Sequence, residues 1–111
     1  MVRVRHYTRI SSMKKIIYGG HILARDQNKV FVELAKDRRL SPHDVEEKYD
    51  LDDGKGNAYI EFDVDPAMLQ QQYNVLQQGD EYYIRGDVDL IGREPEAFFN
   101  IRGGRQWKLK Q

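Results

Sequence analysis

The sequence predicts an α+β fold: a compact, mainly antiparallel sheet of six to eight short strands with two or three short helices. Three observations predict it. Apolar and polar residues alternate at period two in many short segments, as half-buried strands require. Two stretches carry helix start and stop signals, and Gly, Pro, Asn and Asp punctuate the chain between segments. No repeat or linker interrupts the 111 residues, so residues 1–111 read as a single domain with room for one core.

The elements follow in order. Val2–His6 alternates apolar and basic residues as a first strand. Ser11 and Ser12 then offer a helix cap, Met13, Ile16 and Ile17 form an apolar face, and Gly19-Gly20 stops the helix. His21–Ala24 reads as a short strand. "NKVFVELA" is another, with Val30 and Val32 on one side and Phe31 and Glu33 on the other. "LSPHDVEEKYDL" is a capped helix, with Ser41 before Pro42 at its first position and Asp44, Glu46 and Glu47 near its positive end. "DDGKGN" is a loop. "NAYIEFDVD" sets Tyr59, Glu61 and Asp63 against Ala58, Ile60, Phe62 and Val64. Asp65-Pro66 opens a helical turn that runs into a glutamine-rich stretch. "EYYIRGDVDL" is a strand with a bulge or kink at Gly86, and "AFFNI" and "QWKLK" are two strands joined through Gly103-Gly104.

Composition excludes several functions. Without cysteine there is no disulfide, thiolate nucleophile or cysteine-bound zinc. No run of eighteen apolar residues exists to span a membrane, and the basic residues scattered through the first twenty do not read as a signal peptide. HExxH, Walker and GxGxxG patterns are absent, and His6, His21 and His43 lack metal-ligand spacing. Net charge is zero but segregated. Residues 1–39 hold ten Lys/Arg against three acids, residues 40–96 four against fifteen, and residues 97–111 four against none. If the termini meet in space, this predicts a basic face beside an acidic one, suited to an anionic ligand.

"HYT", a short helix and then "GGHI" form a strand–helix–strand unit with three polar-tipped residues at the first strand's end. This resembles the opening of the ADP-ribosyltransferase-like families, and the HYT start resembles the HYD-signature toxin domains of bacterial polymorphic toxins. "GDEYYIRGDV" is similar to the catalytic strand of the diphtheria-toxin-like and poly(ADP-ribose) polymerase branch. "GGRQW" is similar to the GG-x-Q close of NAD-degrading necrotizing toxins. The chain departs from the arginine-modifying branch, having neither a Ser-Thr-Ser strand nor a paired E-x-E.

The resemblance implies a split sheet and NAD as substrate, with no metal. It implies cleavage of the nicotinamide–ribose bond, with ADP-ribose passing to a protein or RNA acceptor, or to water. Breaking that bond builds positive charge on the ribose, which a nearby carboxylate stabilises more in the transition state than in the ground state. Glu81 is the candidate for that role, ahead of Asp80 and Asp87. His6 would meet an adenosine-ribose hydroxyl, with Tyr7 and Thr8 beside it, and Arg5 or Arg9 would meet the pyrophosphate. Phe31, Tyr49 and Tyr59 compete to lie over nicotinamide, and Arg85 and Gln106 are second-tier contacts. The toxin resemblance further implies a C-terminal module secreted or delivered by a larger carrier, acting in the target-cell cytoplasm and met by a cognate immunity protein.

Two other readings stand beside this one. A metal-independent ribonuclease would use His6, Arg5, Lys108 and Tyr83, although the acidic middle of the chain opposes RNA binding. An immunity or antitoxin-type binding protein would use the segregated charge as a docking surface.

Overall fold

The computed structural model describes residues 1–100 and the backbone of a short strand at 108–109. In chain order the elements are β1 (Val2–Thr8), α1 (Ile10–Gly19), β2 (His21–Ile22), β3 (Lys29–Leu34), α2 (Pro42–Tyr49) and β4 (Ala58–Val64). A 3-10 turn at Pro66–Met68 follows, then β5 (Gln70–Asn74), β6 (Gly79–Arg85), β7 (Val88–Asp89), β8 (Glu96–Phe99) and β9 (Lys108–Leu109). Seven strands form one antiparallel sheet in the order β5-β6-β3-β1-β4-β8-β9, while β2 and β7 make a separate ribbon. This is the expected α+β class. Among the described residues no helix is long and apolar enough to cross a membrane.

Strand alternation sorts the side chains into two unlike layers. Even-numbered residues of the central strands, among them Val4, Val30, Val32, Ile60, Phe62 and Ile84, pack with Met13 and Ile17 of α1 into an aliphatic core. Burying each such side chain contributes roughly 2 kcal/mol relative to leaving it exposed, so this layer carries most of the stability. Odd-numbered residues face α2, where Tyr7, Tyr59 and Val45 form a smaller, aromatic cluster joined by Tyr49 and Phe98.

Most element expectations hold, and the exceptions have physical causes. Ser41 caps α2 as predicted, its hydroxyl accepting from the Asp44 N–H at 3.2 Å with Pro42 following. Helix α1, in contrast, begins at Ile10 with Arg9 as an N-cap that makes no side-chain bond, so neither Ser11 nor Ser12 caps it. β1 stays paired to β4 as far as Thr8 opposite Ala58, and burial of Met13 and Ile17 sets the helix start. The second strand stops at Ile22, leaving Leu23 exposed. The glutamine-rich stretch is an edge strand, β5, pairing with β6 from Gln70–Tyr83 to Asn74–Gly79. The basic C-terminal residues of the expected basic face lie outside the described residues. Within the described residues, Arg3 of β1 pairs with Asp63 (3.0 Å) and Glu96 (2.6 Å), and Arg5 pairs with Glu61 (3.0 Å).

The feature that positions the site is a change of partner. β1 pairs with β4 along its whole length, but with β3 only at Val4–Leu34 and Arg5–Glu33. β3 then leaves β1 and runs with β6, from Val32–Tyr82 to Lys29–Arg85. Beyond Arg5 the sheet is therefore split.

Candidate active site

The split opens a cleft of about 1070 Å³ that His6, Tyr7 and Thr8 line from β1, Phe31 from β3, Tyr49 from α2 and Glu81 from β6. His6 sits where the ladder between β1 and β3 stops. Its Nδ1 lies 2.8 Å from the Phe31 carbonyl oxygen, replacing with a side chain the backbone bond the strands no longer make. A carbonyl only accepts, so Nδ1 carries the proton and Nε2 is left as an acceptor. Burial lowers the His6 pKa below the ordinary histidine value, opposed only in part by that hydrogen bond, and the ring is neutral at pH 7.

Glu81 is 8% exposed and held by two amides of β5. Gln72 Nε2 donates to Oε2 and Asn74 Nδ2 donates to Oε1, each at 2.9 Å. Both amides are oriented in turn. Gln72 Oε1 accepts from Lys29 Nζ at 2.7 Å, and Asn74 Oδ1 accepts from the N–H groups of Leu76 and Gln77 at 3.0 and 3.2 Å. Each carboxylate oxygen thus meets a donor, which fixes the direction of the side chain.

The aromatic competition resolves by face and cover. Phe31 and Tyr49 line the cleft with ring centroids 6.4 Å apart at 48°, making an aromatic corner. Tyr59 lies outside it, packed edge-on to Tyr7 (5.8 Å) and stacked on Phe98 (4.9 Å) beneath the Arg5 guanidinium. Arg5 is likewise removed from the cleft. It is 5% exposed and donates to Glu61, Ala35 O and Asp37 O, so its guanidinium is engaged within the fold. Arg9 does line the cleft, as do Lys15 and Arg25. Tyr7 is tied down through its hydroxyl, which donates to Glu33 at 3.2 Å and accepts from the Leu40 N–H at 3.0 Å. Burial foremost pushes its phenol up to about 12.

Other candidates stand apart. Asp87 accepts from the Ala24 N–H at 2.7 Å in a loop contact, Asp80 is exposed, and Arg85 lies over the Tyr83 ring outside the cleft. Gln106 and the Lys108 side chain lie outside the described residues. The ribonuclease grouping is not brought together, since of His6, Arg5 and Tyr83 only His6 reaches the cleft. Sequence reasoning missed Gln72 and Asn74, because a glutamine run carries no strand signal, and Lys29, whose bond to Gln72 depends on how the strands are placed. It also missed Glu33 and Lys48, whose importance depends on the docking of α2.

A family model described as HYD1 signature containing ADP-ribosyltransferase matches residues 4–93. The chain belongs to this family. Its name indicates a toxin domain of the ADP-ribosyltransferase class, and such transferases use NAD as substrate. The matched stretch runs from β1 to just before β8, taking in the split, His6, Phe31, Tyr49 and Glu81. No curated protein and no solved structure matches the chain.

Proposed function

We propose that the cleft in the split sheet binds NAD and breaks its nicotinamide–ribose bond, passing ADP-ribose to a macromolecular acceptor or to water. One observation carries this reading: His6 and Glu81, from strands two apart in the sheet, line the same cleft, each held by partners that set its hydrogen-bonding character. His6 Nε2, an acceptor, takes a proton-bearing hydroxyl of the adenosine ribose, with Thr8 beside it. Arg9, with Lys15 and Arg25, meets the pyrophosphate. The Phe31–Tyr49 corner receives the planar nicotinamide.

Glu81 then does the chemistry. As the glycosidic bond lengthens, its electron pair leaves with nicotinamide and the ribose becomes an oxocarbenium-like cation. An ionised carboxylate, already aimed by Gln72 and Asn74, stabilises that charge without reorganising. The acceptor's nucleophile or a water attacks the opposite face and loses its proton to solvent.

As a toxin domain, the chain acts in this reading as the delivered C-terminal module of a larger carrier, in the target-cell cytoplasm, and a cognate immunity protein covers the cleft. The test is nicotinamide release from NAD in a cell lysate. Glu81→Gln is expected to lower the rate about a hundredfold or more while circular dichroism shows the fold retained. A wild-type protein that leaves NAD intact but degrades RNA would overturn the proposal in favour of a nuclease.

A further inference from the structure

Among the described residues two carboxylates are buried, Glu81 and Glu33, and the proposed chemistry leaves Glu33 unused. Its residue surface is 7% exposed, and it occupies the last rung on which β3 still pairs with β1, opposite Arg5. Three donors from two other elements converge on its carboxylate. The Tyr7 hydroxyl of β1 reaches Oε1 at 3.2 Å, while Lys48 Nζ and the Tyr49 hydroxyl of α2 reach Oε2 at 2.8 and 3.1 Å. Tyr7, Lys48 and Tyr49 all line the cleft, and Glu33 itself does not. A buried carboxylate with three charge-assisted bonds leaves each donor one direction to point. Tyr49 gains most from this, because it is the last residue of α2 and has Phe31 as its ring neighbour. Lys48 keeps about a third of its side chain exposed, so loss of Glu33 would leave it access to water.

We propose that Glu33 is a positioning residue for the aromatic wall of the cleft: at the apex of the split it holds the Tyr49 hydroxyl, together with Lys48 and Tyr7, so that the Tyr49 ring keeps its place beside Phe31. The inference rests on reading the cleft as the NAD site. Glu33 touches no substrate in this account and acts through Tyr49.

The experiment compares Glu33→Gln, Tyr49→Phe and the double variant in steady-state nicotinamide release. Each single change is expected to raise KM for NAD roughly tenfold with kcat within about twofold. The double variant should be no worse than the worse single, since both changes break one interaction. Unchanged KM in Glu33→Gln, a loss confined to kcat, or additive losses in the double variant would overturn the proposal. A second readout needs no ligand. Proton–proton Overhauser contacts between the Tyr49 and Phe31 rings, whose centroids lie 6.4 Å apart, should weaken in Glu33→Gln. Unchanged contacts would overturn the positioning role. If the wild type releases no nicotinamide, the NAD reading fails, while the ring contacts still decide whether Glu33 positions Tyr49. Should Glu33→Gln fail to fold, Glu33→Gln with Lys48→Met removes the ion pair as a unit and carries both measurements.

Discussion

Arg5 and His6 are neighbours in β1, yet one peptide bond separates two regimes. On the Arg5 side, β1 is hydrogen-bonded to strands on both flanks. There a charged side chain is absorbed into structure, its guanidinium satisfied by Glu61 and two backbone carbonyls. On the His6 side, β3 has turned away to β6, and a ring nitrogen stands in for the missing ladder. The zipped half consumes its polar groups in stability, and the open half leaves them facing a cleft. A cationic residue beside the site is therefore not a phosphate ligand by proximity alone.

The comparison can be broken most forcefully at Arg5. Arg5→Met leaves Glu61 and the carbonyls of Ala35 and Asp37 without their donor, and should cost about 3 kcal/mol in denaturant unfolding. NAD affinity measured below the melting range should change little. A stable Arg5→Met that has lost NAD binding would put Arg5 back in the site. Gly56→Ala comes next. A Cβ there would stand 2.6 Å from the Pro42 carbonyl oxygen and 3.1 Å from Val45 Cβ, so α2 must shift. We expect a loss of about 2 kcal/mol together with a raised KM, since α2 carries Tyr49.

His6 gives the converse outcome. His6→Ala removes one hydrogen bond in a partly open region and should weaken NAD binding roughly tenfold by calorimetry, with a smaller effect on stability than Arg5→Met. The smallest effect is the pH dependence of the same residue. Its pKa is lowered in the folded protein, so the unfolded chain binds the extra proton first as pH falls. The stability from neutral His6 is present above the ordinary histidine pKa and is lost as pH falls through the lowered value. NAD affinity should weaken over the same acid range, because protonated Nε2 no longer accepts, and His6→Ala should flatten both profiles. Tyr7 and Tyr49 both act at the alkaline end: burial pushes both phenols up, that of Tyr7 to about 12, so stability falls as pH rises above the ordinary tyrosine pKa.

Much of the fold could be read from local pattern. The alternation of β1, β3, β4 and β6 and the Ser41-Pro42 start of α2 needed only period and capping chemistry. Glu81 and His6 stood out in the sequence as residues at predicted strand ends, yet β6 begins at Gly79 and β1 runs on to Thr8, so both lie inside their strands. What was not legible depends on tertiary choices. Nothing in the alternation of "NKVFVELA" says that its two halves pair with different strands, yet that switch creates the cleft. Tyr49 and Tyr59 are equally aromatic, and only the cover supplied by Phe98 and Tyr7 removes Tyr59. The glutamines of β5 lack β-branched or aromatic signals, so the amides that aim Glu81 came from a segment with no strand expectation. The pairing of Arg3 and Arg5 of β1 with Asp63 and Glu61 of β4 could not be read from charge counts along the chain, because it depends on which strands lie side by side.

The central claim is that the open half of the split is where NAD is held and cut. Its most direct test is the crystal structure of Glu81→Gln with NAD, which should retain the uncleaved dinucleotide. The account predicts NAD within the split, an adenosine-ribose hydroxyl within hydrogen-bond distance of His6 Nε2, and the nicotinamide against Phe31 and Tyr49 with its ribose beside residue 81. NAD bound elsewhere, or lying in the split with its nicotinamide end turned away from residue 81, would contradict it.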